Sequence, residues 1–136
     1  VAAAAVSDFR MAGGPSGEKL RRDGALTLQL EPTPDLLAGI ATALGPRATR
    51  QTALIGFSAE SGATKRAAEK LAAKDLDLIV ANDVSAPGIG FESTENAVEI
   101  LHVDGKTQRV GPAPKRVVAD AILDQAVRLL RGGAQA

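Results

Sequence analysis

The 136-residue sequence has no cysteine, no tryptophan and no tyrosine, and only one histidine and one methionine. The absence of cysteine rules out disulfides, thiolate zinc sites and a cysteine nucleophile, and suits a reducing compartment. The single imidazole, His102, has no second histidine or cysteine to share a metal or build a triad. Lack of tyrosine removes dehydrogenase chemistry that relies on a tyrosine acid. Neither Gly-x-Gly-x-x-Gly nor a phosphate-loop Gly-Lys-Ser/Thr occurs, so dinucleotide binding and ordinary kinase chemistry lose their usual markers. Charge of one sign is not in excess either: 16 basic residues balance 16 acidic ones. No global field would recruit nucleic acid or an anionic membrane, and any anion site must be local. No apolar run approaches the ~20 residues of a spanning helix. The opening VAAAAV has no basic n-region and is too short for a signal sequence. These exclusions lead to the expectation of a soluble, cytoplasmic protein without nucleic-acid or membrane partners. The sequence also begins on an apolar run with no turn before Val1, as expected of a chain entered in mid-fold with native residues ahead of it.

What is present is aliphatic. Apolar residues make up 45% of the chain, with three phenylalanines as the whole aromatic content. Such a chain can bury about two thirds of its unfolded surface in one core, and Ala with Val, Ile and Leu suits helices packed on a sheet. One domain is expected over residues 1–136, lacking its N-terminal part. Residues 2–6 read as a short buried strand. Gly13, Gly14, Pro15, Ser16 and Gly17 mark a loop over 10–18. Leu26, Leu28 and Leu30 alternate with polar residues, the pattern of a half-exposed strand ended by Pro32 and Pro34. A helix follows over 34–44, with Thr33 as N-cap, Pro34 at its first position and Gly45-Pro46 as its stop. Strand 52–57, helix 61–74 and strand 77–81 come next, then a loop through Pro87, Gly88 and Gly90. The segments 97–103 and 107–110 flank Asp104-Gly105, a hairpin signal, and 117–130 is a last amphipathic helix before Gly132-Gly133. Alternating strands and helices predict an α/β fold, a Rossmann-like parallel sheet with flanking helices plus an antiparallel hairpin extension.

Ligands of open parallel sheets bind beyond the carboxyl ends of the strands. Three polar clusters fall there: Ser7-Asp8, Ser58-Ala59-Glu60 and Asn82-Asp83. Each one alone could simply cap a turn; together they point to a site. Glu18-Lys19-Leu20-Arg21-Arg22 follows the glycine-rich loop, either a solvated basic stretch or a flap that closes on a polyphosphate. The helix start at Thr33-Pro34-Asp35-Leu36 offers backbone N–H groups to an anion, as most capped helices do. Lys70 and Lys74, four apart, either reach one ligand or lie along the core boundary with their ammonium groups in water.

Particular strings go further: AAVSDF at 4–9, EKLRR at 18–22, TPDLL at 33–37, IGFSAES at 55–61, AAEKLAAKDLDLIVANDVS at 67–85 and GFESTENAV at 90–98. In order and without large gaps, they resemble the bacterial phosphopantothenoylcysteine synthetase family, commonly the second half of a bifunctional protein whose first half is a flavin-dependent decarboxylase. The resemblance implies a ligase of coenzyme A biosynthesis. It would activate the carboxylate of 4′-phosphopantothenate with CTP and Mg²⁺ to an acyl-cytidylate, then couple it to cysteine. It further implies nucleotide contacts at Ala2, Ala3, Ala4, Asp8, Lys19, Pro34, Asp35, Leu36, Leu37, Phe57, Lys70 and Lys74. Lys19 would be the catalytic flap cation, and Ala4 and Ala5 would meet the acyl intermediate. Asp8 would bind the nucleotide or its metal, and no resident metal site is implied beyond that. Where the family usually carries lysines after the first of its basic motif, Arg21 and Arg22 stand, keeping the charge but not the geometry. The glycine-rich opening and the asparagine of the family's first half have no match, so the chain alone is expected to bind CTP weakly without completing ligation. The resemblance also implies a homodimer or higher, and the alternatives weighed beside this expectation are a non-catalytic nucleotide-binding module, an ATP-using relative and a purely structural domain that dimerises through its exposed strands (26–30 and the 97–110 hairpin).

Overall fold

The computed structural model describes residues 1–4, 6–14, 17, 19, 24–59, 63–82 and 93–132. Its main sheet has four strands in the order β3 (Ile55–Ala59), β4 (Leu78–Asn82), β5 (Glu95–His102), β6 (Thr107–Pro114). Strand β3 runs parallel to β4, and β5 and β6 follow antiparallel, so one βαβ unit carries a hairpin. That hairpin turns at Asp104-Gly105, where Gly105 adopts φ 85° and the Asp104 carboxylate accepts the Lys106 N–H at 3.1 Å. A second, two-stranded antiparallel sheet pairs β1 (Phe9–Met11) with β2 (Leu30–Pro32).

Alternation along the strands divides the core between the two faces of the sheet. On one face Ile79, Ala81 and Leu101 pack with Leu71 and Ala67 of α2 (Ala63–Ala73), Ala41 of α1 (Leu36–Leu44) and Leu76. On the other, Ile55, Leu78, Val80, Val98 and Ile100 meet Val118 and Ile122 of α3 (Lys115–Gly132). Leu76, Leu78, Val80 and Ile100 are fully buried, each a contribution of roughly 1.5–3 kcal/mol before chain entropy is counted. Gly56 lies where α1 and α2 approach β3, since a Cβ there would stand 2.7 Å from Leu76 Cδ1 and 3.2 Å from Leu37 Cδ2.

The parallel α/β unit and the hairpin agree with the pattern of the sequence. Three local expectations are corrected. Residues 1–4 form no strand and are exposed; they keep one bond to the sheet, Ala2 N–H to the Ile55 carbonyl at 2.9 Å, because alanine side chains bring too little area to bury. Leu26 and Leu28 stay outside the strands, and β2 begins only at Leu30. Thr33 is not the cap of α1: Asp35 is, accepting the Ala38 N–H at 3.1 Å, while the Thr33 hydroxyl donates to the Ser7 carbonyl at 2.5 Å.

At the opposite end from the carboxyl ends of the strands, α2 closes with a Schellman motif. The Leu76 N–H reaches the Leu71 carbonyl at 3.0 Å and the Asp75 N–H reaches Ala72 at 3.2 Å, with Asp75 in the left-handed region at φ 48°, a conformation Asp tolerates. An ionic cluster covers this turn. The Arg50 side chain, 2% exposed, bonds Asp75 at 3.0 Å and Asp77 at 2.9 Å. Arg47 bonds Asp75 at 2.6 Å, and the Asp77 carboxylate also accepts the Leu54 N–H at 2.7 Å. The cluster ties the entry of β3 to the entry of β4. Among the described residues, no helix is long and apolar enough to cross a membrane.

Candidate functional site

Four short links gather much of the site implied by the sequence along the outer edge of β3. First, the Ala2–Ile55 bond lays Ala2 beside that strand. Second, Ser58, 3% exposed near the carboxyl end of β3, lies 3.4 Å from the Lys70 ammonium of α2. Third, Lys74, just past α2, pairs with Asp35 at the start of α1, Nζ to Oδ2 2.9 Å. Fourth, the Thr33 N–H donates to the Asp8 carbonyl at 2.9 Å, placing Asp8 next to Pro34 and Asp35. Ala2, Asp8, the 34–37 segment, Lys70 and Lys74 are thereby joined through residues adjacent in the fold, although far apart in sequence.

Other residues fall differently. Phe57 shares the parity of Ile55, whose side chain packs toward α3, whereas Ser58 shares that of Gly56, which faces α1 and α2. Its ring, 43% exposed, therefore projects from the face of β3 opposite Lys70. Lys19 is exposed, and none of the four links involves it. Ala5 and the flap positions Glu18, Leu20, Arg21 and Arg22 lie outside the described residues, as do Glu60 and Asp83.

The anion already in place at this edge is the Asp35 carboxylate. The Asp35 carboxyl is held below its ordinary range, first by the Ala38 N–H it accepts and then by Lys74. Asp35 is thus already engaged as cap and lysine partner, while Leu36 is exposed and Leu37 packs into the core. What this segment offers a ligand is the backbone N–H groups at the start of α1. A concavity of about 290 Å³ on α2 is lined by Arg66, Glu69, Lys70, Ala73 and Lys74. Two contributors escaped the sequence reading: Ser58 as the partner of Lys70, and Arg66, although its four-residue spacing from Lys70 was visible. Among the described residues, no group of three or more His, Asp or Glu could hold a metal. Magnesium does not need one, because it usually binds through one or two carboxylates with substrate phosphates and water; exposed Asp8, beside the start of α1, fits that role.

The fold and this edge together define a Rossmann-like α/β domain. The chain belongs to the family described as DNA/pantothenate metabolism flavoprotein C-terminal domain, whose model matches residues 1–130. It is 39% identical over 127 residues to the coenzyme A biosynthesis bifunctional protein CoaBC of Bacillus subtilis, covering 93% of this chain and 30% of that protein. It is 35% identical over 133 residues to CoaBC of Escherichia coli K12, covering 93% of this chain and 31% of that one. The crystal structure of the C-terminal domain of a CoaBC superposes with a TM-score of 0.66 at 28% identity, covering 95% of this chain and 53% of that one. The chain thus spans less than a third of the two curated relatives.

Proposed function

We propose that this chain is the nucleotide-binding part of a phosphopantothenate–cysteine ligase of coenzyme A biosynthesis. The observation that carries the reading is the meeting of Lys70, Lys74 and the start of α1 at the edge of β3, in a family whose relatives are named for that biosynthesis. A carboxylate oxygen of 4′-phosphopantothenate attacks the α-phosphorus of CTP. The α–β phosphoanhydride bond breaks, and pyrophosphate leaves with its electron pair. The amine of cysteine then attacks the acyl carbon of the acyl-cytidylate, CMP departs, and the amine loses a proton. Neither step needs a covalent protein nucleophile. Both need positioning and cations on developing negative charge, which suits a domain without cysteine.

In this reading Ala2, Ala3 and Ala4 let the nucleotide approach the edge of β3, and Ala4 and Ala5 meet the acyl intermediate. The segment Pro34, Asp35, Leu36 and Leu37 lines the nucleotide, with backbone N–H groups from its last three residues because proline has none, and Lys70 and Lys74 bind the triphosphate. Phe57 packs where the nucleotide wraps over the edge strand. Asp8 holds Mg²⁺, which supplies charge neutralisation on the phosphates, and Lys19 is the flap cation over the leaving group. We place the reaction in the cytoplasm, with a decarboxylase domain ahead of Val1. A homodimer would cover exposed Phe9, Leu26, Leu28 and Leu30.

The test is turnover by the full-length protein. CTP should yield CMP and pyrophosphate only when phosphopantothenate is present, with cysteine needed for product, and Lys19→Ala should abolish turnover while CTP still binds. Release of pyrophosphate from ATP alone would replace CTP in the reading. No release from either nucleotide would leave a non-catalytic nucleotide-binding module.

A further inference from the structure

Helix α2 carries a third cation in line with the two lysines of the proposed site. Arg66, Lys70 and Lys74 are spaced by four, so they form one slowly turning row, advancing about 6 Å along the axis at each step. All three line the same concavity of about 290 Å³, and only Glu69 among its other lining residues is charged. With Glu69 and the Asp35 carboxylate that Lys74 holds, three cations face two carboxylates, a formal surplus of one positive charge in a chain whose overall charge is zero. The direction of α2 places Arg66 further. The helix leaves the carboxyl end of β3 and returns toward the start of β4, so Arg66 sits nearest the carboxyl ends, Lys70 one turn on beside Ser58, and Lys74 last, against Asp35. Ala73, between the lysines, leaves the floor of the concavity unobstructed.

We infer that Arg66 is a phosphate-binding residue that, with Lys70 and Lys74, completes a three-cation row for the oligophosphate chain of a nucleotide. The inference rests on the proposed function for the identity of the nucleotide, while the row itself defines the chemical class, a compact polyanion with several phosphates. A guanidinium suits the end position, because its planar fork takes two phosphate oxygens at once, whereas an ammonium acts as a point charge. A cationic row serving only solubility would show no preference for phosphates over chloride at equal ionic strength.

Two measurements on the full-length protein test this. In steady-state kinetics, Arg66→Gln should raise the KM for CTP and the inhibition constant of pyrophosphate by about tenfold, the order of one charge-assisted hydrogen bond. The KM values for phosphopantothenate and cysteine should stay unchanged, and Arg66→Lys should recover part of the loss. In calorimetry at fixed ionic strength, inorganic pyrophosphate should bind the unsubstituted protein and bind Arg66→Gln several-fold more weakly. Unchanged CTP and pyrophosphate constants in Arg66→Gln would overturn the inference, as would a rise confined to the phosphopantothenate KM. Should the unsubstituted protein turn over no CTP, the proposed function falls, and calorimetry still decides the row: equal binding of pyrophosphate by both proteins, or none by either, refutes it.

Discussion

Removing Asp77 should weaken the domain at the ionic cluster that joins the entries of β3 and β4. Its carboxylate has two duties: it accepts the Leu54 N–H at 2.7 Å and the Arg50 guanidinium at 2.9 Å. Asp77→Ala would leave an arginine side chain that is only 2% exposed with one carboxylate partner fewer, and a buried N–H without an acceptor. Breaking a buried pair from one side costs about 3–5 kcal/mol. Asp75 still holds Arg50 at 3.0 Å through a carboxylate that is 46% exposed, which moves the expectation to the lower end, about 3 kcal/mol. For 136 residues the unfolding entropy is roughly 0.29 kcal/mol per kelvin, so Tm should fall by about 10 °C. The assay is differential scanning calorimetry of the purified chain at neutral pH. Orphaned charge, rather than lost packing, is the claimed cause, so Arg50→Met combined with Asp77→Leu should lose less stability than Asp77→Ala alone. A fall of less than about 3 °C for Asp77→Ala, or a double variant less stable than the single, would refute the reasoning.

Two further outcomes follow from the packing and the cap. Gly56→Ala should cost about 1–3 kcal/mol by denaturant unfolding, because its Cβ would meet the buried Leu76 at 2.7 Å; an unchanged midpoint would show that Leu76 and Leu37 give way freely. Asp35→Ala should lose about 1 kcal/mol at pH 7 through the α1 cap. The Asp35 carboxyl is held down in the folded state by the Ala38 N–H and Lys74, so its contribution is complete above the unfolded carboxylate value of about 3.9. It is lost as pH falls through the lower folded value, and the two unfolding curves should converge in strong acid. A gap that persists there would assign the loss to something other than the charge.

Much of the fold was legible because its signals are local. The apolar run over 78–81 suits a strand buried on both faces, which β4 is, and Asp104-Gly105 names its own turn. Where the reading slipped, the deciding interaction came from elsewhere in the chain. Thr33 looks like a cap, yet its hydroxyl is drawn to the Ser7 carbonyl, which leaves the capping to Asp35. Leu26 and Leu28 alternate like a strand, but β1 is only three residues long, its register ends at Met11–Leu30, and the Ala12 N–H reaches back only to the Gln29 carbonyl. The ionic cluster joins Arg47 and Arg50 to Asp75 and Asp77 across more than 20 residues, with no motif to announce it. For the site, family strings supplied residues that spacing alone could not connect, since Asp8, Asp35 and Lys74 meet only through tertiary contacts. The same strings could not tell that Phe57 projects from the face of β3 opposite the one α2 covers with Lys70, because that depends on which face of the sheet each helix packs against.

The central claim is that the edge of β3, the start of α1 and the cations of α2 hold a cytidine triphosphate, and a crystal structure with CTP bound tests it most directly. The phosphates should lie within hydrogen-bonding distance of the Lys70 and Lys74 ammonium groups and of the first N–H groups of α1. Nucleotide bound elsewhere with both lysines unengaged, or none bound at saturating CTP, would contradict the account.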